Sequence, residues 1–550
     1  MVDVERVLAV VSGLENSQAN WQGAWNECIK YCSPQSKMSS EMDSDGEYHP
    51  APVNGTGIRA CNSLAGNLYA NGCAVGQEWF AFSVNLPEKD INRAMTDWAI
   101  TASKTTLRYL GASNFYSVIQ HTTQDFSLLG TCCVFSDFVK GSLMYRNFPI
   151  NHNIFIQTND RNEVDTLARK FKYTAKEAYQ AFGDRVSEKI RSKITEGKNT
   201  DLFEFVQFIY PRSVYGEAID RSKKDKLNMS FGSVFIEVAE KNLVKTEGFT
   251  KFPFAVARFY ASATEAYGRS PGMNAMEDIK TLQRVESDML DAAEYAGNPA
   301  IIVDDRAEEF STECGAVNRV SNFNSQMCKV IELGNNLVVD EKTILRKEQA
   351  VKEAFYYDLF MHLEQHKYMT AREVDARELQ KAQSIAPVVT SYQSELLGAI
   401  LKRTYFLLRA KKIIPAPPAG VKDEDVNVVY TSRLNSLLKQ VEVANLMTAL
   451  NQAAGLFQFL GQFPDARYYI NVNEALDSIA YGNNIAPGHF YTAQETEKMI
   501  EAAEAKQAER DRLDAMMGKI KPVDTLKSPQ PGSMAETMQN TFGGTNAYGR

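Results

Sequence analysis

Apolar positions recur with a helical period at the start of the chain. Val4, Val7, Leu8 and Val11 share one face, and Trp21, Trp25 and Ile29 another before Ser33-Pro34 closes the pattern. Two short amino-terminal helices are therefore expected. Residues 35–57, crowded with Ser, Asp, Gly and Pro, read as a loop ahead of a small-residue helix through Cys61, Leu64, Ala65 and Leu68. A strand is expected at 79–84, two helical patterns lie within 90–129, and alternating runs at 133–135 and 153–157 read as strands. Thr174-Ala175-Lys176-Glu177 is a capping box: the threonine hydroxyl accepts from a first-turn amide while the glutamate reaches back to the threonine amide. The helix it opens stops near Gly183, and strands return at 203–209, 234–238 and 254–259. The first 260 residues thus predict a mixed α+β domain.

The middle of the chain changes period. Ser270 can cap a helix whose first residue is Pro271, and Ile279, Leu282, Val285, Met289 and Ala293 lie on one face before Gly297-Asn298-Pro299 ends it. From residue 273 to 296 this helix would be about 36 Å long at 1.5 Å per residue. A compact excursion over 297–340 follows, strand-like at 300–303 and 328–333. A second helix starting near Asp340, with Ile344, Val351, Phe355, Leu359 and Leu363, could return beside the first and make a hairpin with a small tip. Thr370-Ala371-Arg372-Glu373 is a second capping box, opening a helix interrupted at Pro387 and resumed to about Lys412, most simply one long kinked helix. After Pro415-Ala416-Pro417-Pro418, Leu434, Leu437, Leu438, Val441 and Leu446 begin a helical carboxy-terminal region. The last residues, with Pro522, Pro529, Pro531 and Gly543-Gly544, read as a flexible tail. The expected fold class is α+β, mostly helical.

Composition narrows the function. With 550 residues, 44% hydrophobic and 23% charged, the chain is neither generally disordered nor fibrous. Its most apolar helical stretch, 396–408, is broken by Lys402 and Arg403, short of the ~20 apolar residues a membrane span needs. Asp3, Glu5 and Arg6 interrupt any signal-like run, so no export signal and no membrane partner are expected. The 8 cysteines form no CxxC pair and read as reduced, buried thiols. A net charge of -8 argues against a free non-specific DNA binder, which would carry a basic face, but not against a channel past which DNA slides.

Candidate chemistry is sparse. His362 and His366 stand at i and i+4, a spacing able to hold a metal, yet the glutamate between them is misplaced for HExxH or HxxEH and no third ligand suggests itself. A metal-dependent hydrolase using that pair is the alternative from another class, and a monomeric scaffold a second. Asp304-Asp305 with Glu308-Glu309 read as a solvated acidic face rather than a cation site. Asn54-Gly55-Thr56-Gly57 reads as loop punctuation. No GxxxxGK[ST] phosphate cradle is present, and the basic pieces Lys223-Lys224 and 409–412 lack interleaved aromatics. The residues point away from an enzyme and imply no cofactor or metal.

Several patterns, in order, carry a resemblance. They are WNECIKYCSP at 25–34, Glu78-Trp79-Phe80, Asn114-Phe115-Tyr116, Gly130-Thr131, the 174–183 capped helix, EAYGRS at 265–270 with DIKTL at 278–282, and YMTAREV at 368–374. Along nearly the whole chain this order resembles the head-to-tail connecting (portal) proteins of T7-like podoviruses. The resemblance implies a phage portal fold, with a wing at 1–266, stem helices at 267–296 and 341–361, and a clip at 297–340. A channel turn and kinked wing helix would follow at 362–425, a helical crown at 426–518, and a flexible tail at 519–550.

The same resemblance implies a dodecameric ring at the portal vertex of the virion, assembled in the host cytoplasm. Implied partners are a terminase packaging motor, a tail adaptor, the major capsid and scaffolding proteins, possible internal core proteins, and double-stranded DNA passing through the channel. His362, Gln365, His366, Lys367 and Tyr368 would form a channel constriction, although the segment before Thr370 is short for the family, so the loop there is expected to be reduced. Arg306, Glu308 and Glu309 would be docking residues of the clip. Twelve copies of a -8 chain would present a wall of the same sign as phosphate and discourage DNA from sticking to it.

Overall fold

Apart from isolated positions, the computed structural model describes residues 3–34, 51–87, 91–151, 153–197, 200–217, 225–297, 301–303, 328–330, 337–357, 385–431, 446–452 and 505–510. Where two short helices were expected, a single helix α1 runs Val4–Cys32. Asp3 caps it, its carboxylate accepting from the amides of Glu5 and Arg6 at 3.0 and 3.4 Å. The polar stretch in its middle holds because Gln18 is buried and its Nε2 donates to the carbonyls of Ile150 and Ile154 at 2.9 and 2.6 Å. A tertiary partner stands there where the sequence shows no apolar residue.

Helix α2 (Thr56–Gly72), strand β1 (Phe80–Val84), α3 (Arg93–Gly111) and α4 (Phe115–Leu129) follow as expected. Strands β2 (Thr131–Val139), β3 (Ser142–Asn147) and β9 (Phe254–Arg258) form an antiparallel sheet of order β3-β2-β9. A five-stranded antiparallel sheet of order β4-β5-β6-β7-β8 uses Ile154–Thr158, Val164–Thr174, Leu202–Pro211, Phe231–Glu237 and Asn242–Phe249.

Both faces of the larger sheet are covered. Val206 and Phe208 pack with Val7 and Val11 of α1, while Phe171 and Phe205 pack with Ala178 of α5 (Ala175–Phe182) and Ile190 of α6 (Glu188–Thr195). This double covering explains why β5 is missing from the sequence reading. Leu167, Ala168 and Arg169 are all buried, so no alternation shows, and the Arg169 guanidinium lies 4.5 and 4.6 Å from the rings of Phe148 and Phe171. Strands β3 and β8 were missed too. The capping box at Thr174 forms as read, with both reciprocal bonds.

The main core joins α1, α2, α3, α4, the three-stranded sheet and the last long helix. That helix begins within the described residues at 385, carries Pro387 without breaking, and instead distorts over Tyr392–Gly398, a π segment before α10 (Ala399–Ala410). The Tyr430 hydroxyl donates to the carbonyl of Gln393 in that segment. Tyr430 ends β12 (Val426–Tyr430), which pairs antiparallel with β1. The first folded region therefore continues five residues past the boundary expected at 425, because an edge strand recruits the chain after the prolines. Beyond it, residues 446–452 are helical, whereas Leu434 to Val441 and the tail 519–550 lie outside the described residues. A second compact unit, residues 87–92 with 490–550, is described as helix at 505–510.

Asp125 of α4 is buried in this core. Its carboxylate accepts from Asn147 Nδ2 at 2.6 Å, and burial outweighs that bond, raising its pKa from 3.8 to about 7. Between about pH 4 and 7 the folded chain thus holds a proton that the unfolded chain has lost, and stability falls as pH rises through that window. Asp125→Asn is expected to flatten the pH dependence of the melting temperature between those values. An unchanged slope would show that this carboxyl is already ionised at low pH.

Candidate functional surface at the helix hairpin and its base

The hairpin grows from a junction of glycines. Helix α4 ends on Gly130 in the left-handed region (φ 74°), and Thr131 Oγ1 accepts from the amide of Gly268 at 2.8 Å. Tyr260 and Arg269 form an isolated antiparallel bridge beside them. Ser270 then caps α7 (Pro271–Asn274), its Oγ accepting from the amide of Met273 at 3.1 Å, and α8 (Met276–Gly297) continues the path. Gly130-Thr131 and 265–270, far apart in sequence, are one packed joint.

Other patterns that the sequence set apart also turn out to build this foundation. Trp25 is fully buried, donates Nε1–H to the carbonyl of Leu129 at 3.1 Å, and meets Tyr267 edge-on at 5.2 Å. The Tyr267 hydroxyl accepts from Gln18 Nε2 and the amide of Ile156, both at 3.3 Å. Trp79 stacks on Phe115 at 6.1 Å, and Asn114 exchanges two bonds with the backbone of Tyr145. Cys28 sits 3.8 Å from Ser270 Oγ, and burial pushes its thiol up to about 12. Cys28, Cys32, Cys61, Cys73, Cys132 and Cys133 are free and buried, and burial raises the pKa of each, so they serve as packing groups rather than nucleophiles.

Helices α8 and α9 (Leu337–Ala354) pair in the expected hairpin, joined by Asp278 and Lys347 at 2.5 Å, with antiparallel strands β10 (Ile301–Val303) and β11 (Cys328–Val330) beyond α8. Ile279, Leu282, Val351 and Phe355 are buried at its base. A polar clasp missed in sequence holds both helices. Asn54 exchanges backbone bonds with Gln283 at 2.6 and 2.9 Å, and Glu348 Oε1 accepts from Asn54 Nδ2 at 3.3 Å and Thr56 Oγ1 at 3.2 Å. Asn54 and Thr56 had looked like loop punctuation; nothing local marks a loop amide as the partner of a glutamine 229 residues away. Lys280 is tied back to Glu27 at 2.7 Å. Further out the helices keep exposed apolar groups, Leu290 at 57% and Leu345 at 60%.

His362, Gln365, His366, Lys367 and Tyr368, like Arg306, Glu308 and Glu309, lie outside the described residues. So do Lys223-Lys224. The basic run at 409–412 is engaged internally: Arg409 pairs with Asp423 at 3.2 Å and Lys411 lies over the Phe138 ring. Among the described residues no group of three or more His, Cys, Asp or Glu could hold a metal, and no helix is long and apolar enough to cross a membrane.

The hairpin thus stands on packed aromatics, glycine contacts and a polar clasp. The chain belongs to the family of bacteriophage head to tail connecting proteins, whose model it matches over residues 4–489. It is similar to the portal protein of Salmonella phage epsilon15, 23% identical over 527 residues and 93% of each chain. It is also similar to a probable portal protein of Bordetella phage BPP-1, 26% identical over 434 residues, covering 76% of this chain and 77% of that one. It is accordingly a portal-vertex protein of α+β, mostly helical fold, placed in the virion where capsid meets tail.

Proposed function

We propose that the chain assembles into a closed ring of twelve copies through which double-stranded DNA is packaged and ejected, and that it makes and breaks no bond itself. The observation that carries this reading is the family match along 4–489, joined to a hairpin whose Leu290 and Leu345 are left exposed among the described residues. A neighbouring copy in a ring would cover these two leucines. The wing is assigned to 1–266 with the kinked helix to Tyr430, the stem to 267–296 and 341–361, the clip to 297–340, and the crown to the region after β12 up to 518.

On this reading the clip docks the terminase motor during filling and a tail adaptor afterwards, through Arg306, Glu308 and Glu309. The wing meets the major capsid and scaffolding proteins, and internal core proteins are further candidates. His362, Gln365, His366, Lys367 and Tyr368 would narrow the channel, and ring symmetry would repeat each as a girdle facing phosphates. Assembly is placed in the host cytoplasm. Electron micrographs and light scattering of the purified full chain are expected to give closed rings of twelve copies. A stable monomer at high concentration across several salts, or a closed two-fold dimer, would overturn the assignment.

A further inference from the structure

We propose that neighbouring copies meet through unlike flanks of the hairpin: the acidic flank of α8, with Leu290, Asp291 and Glu294, seats on the basic flank of the next copy's α9, with Lys342, Leu345 and Arg346. This rests on the ring reading and adds the surface that closes the ring.

The flanks follow from helix geometry. Asp278 points at Lys347, so it marks the side of α8 that faces α9. At about 100° per residue, Ser287 lies half a turn from Asp278, and Leu290, Asp291 and Glu294 surround it on the flank turned away from α9. Counting likewise from Lys347, Leu345 and Gln349 lie on the far side of α9, with Lys342 beside them and Arg346 at the edge. All six residues of the two proposed strips are exposed.

The two strips differ in sign. Asp291 and Glu294 carry the α8 strip; toward the base Arg284 is exposed seven residues before Asp291, and Lys280 is already held by Glu27 and Glu277. Lys342 and Arg346 carry the α9 strip, where Lys352 is taken by Glu348 and Glu353 accepts from Gln349 Nε2. A two-fold contact would set acid on acid or base on base. Unlike flanks instead give a head-to-tail contact, which propagates and closes only as a ring. Each strip also carries one leucine, so the contact would bury apolar surface as well as pair charge.

The strips lie at different heights. Leu290 is twelve residues beyond Asp278, about 18 Å toward the tip, whereas Leu345 is only two residues, about 3 Å, tipward of Lys347. For one to reach the other the hairpins must shift by about 15 Å along their axes, which a ring permits only if each hairpin is inclined to the ring axis.

Charge reversal in the full chain tests the contact. Asp291→Lys with Glu294→Lys makes both flanks basic; Lys342→Glu with Arg346→Glu makes both acidic. Each variant, folded by circular dichroism and melting temperature because the changes are exposed, is expected to lose at least tenfold in ring yield at low ionic strength. An equimolar mixture of the two is expected to recover rings with alternating copies, and all four changes in one chain to recover rings alone. Wild-type ring yield from both single-flank variants would overturn this interface while leaving the portal reading intact. A wild-type chain that forms no rings would overturn that reading instead. Loss in the single-flank variants without recovery in either the mixture or the four-change chain would show that the strips are not partners.

Discussion

Gly268→Ala is expected to leave little soluble, correctly folded protein. An added Cβ would lie 2.5 Å from the carbonyl oxygen of Gly130, 2.8 Å from Arg258 Cβ and 2.9 Å from the amide nitrogen of Phe259. Two of these three are backbone atoms fixed by β2–β9 pairing and by the bond from the Phe259 amide to Gly130 at 2.8 Å, so nothing flexible can yield. Gly130 meets the same wall from the other side, its missing Cβ falling 2.5 Å from the backbone of Arg269 and Ser270. Overpacking against fixed backbone costs about 3 kcal/mol or more, a large share of the stability of an ordinary domain. The control is Gly13→Ala in the middle of α1, where nothing lies within 4 Å and the helix should gain about 0.5–1 kcal/mol. Soluble yield and thermal melting of both variants measure the contrast, and a Gly268→Ala protein melting within a degree of wild type would refute the joint.

Glu395→Ala carries the second large effect. Glu395 lies in the π segment, where its Oε2 accepts from the amide of Arg258 at 2.8 Å and its Oε1 pairs with Arg258 Nη2 at 2.9 Å. Asn162 accepts two further bonds, from Nη1 at its Oδ1 at 2.8 Å and from Nη2 at its carbonyl at 2.7 Å. The Arg258 side chain is only 4% exposed, so removing the carboxylate strands a buried guanidinium and should cost about 3 kcal/mol. Replacing both partners together, Arg258→Met with Glu395→Leu, should cost less than Glu395→Ala alone, because no charge is left behind. Chemical denaturation of wild type and the two variants gives the comparison, and a double variant less stable than Glu395→Ala would overturn the expectation.

The patterns that carry the family resemblance were legible because local physics writes them locally. A serine before a proline, a Thr-x-x-Glu box and an apolar stripe at helical spacing each satisfy a helix from within a few residues, and Ser270, Thr174 and the Ile279–Leu282 face all behave as read. Strand β5 was not legible, because a strand covered on both faces loses its alternation and Arg169 is stabilised by rings rather than by water. The single α1 was obscured for a related reason: Gln18 looks like a solvent residue until the carbonyls of Ile150 and Ile154 surround it. The clasp at Asn54 and the π segment at 392–398 belong to the same class, since their partners are chosen by packing.

By itself the sequence determined most of the helices, the mixed sheet-and-helix character and the capped start of the hairpin. Those depend on period, capping and spacing, which act over a few residues. Only the tertiary structure decided that Gly130 and Gly268 share one joint, that Asn54 clasps both hairpin helices, that β12 completes the edge of β1, and that Leu290 and Leu345 stand exposed on opposite flanks. Those contacts bring together residues far apart along the chain, and no local preference specifies which distant backbone atom or side chain a buried group will meet.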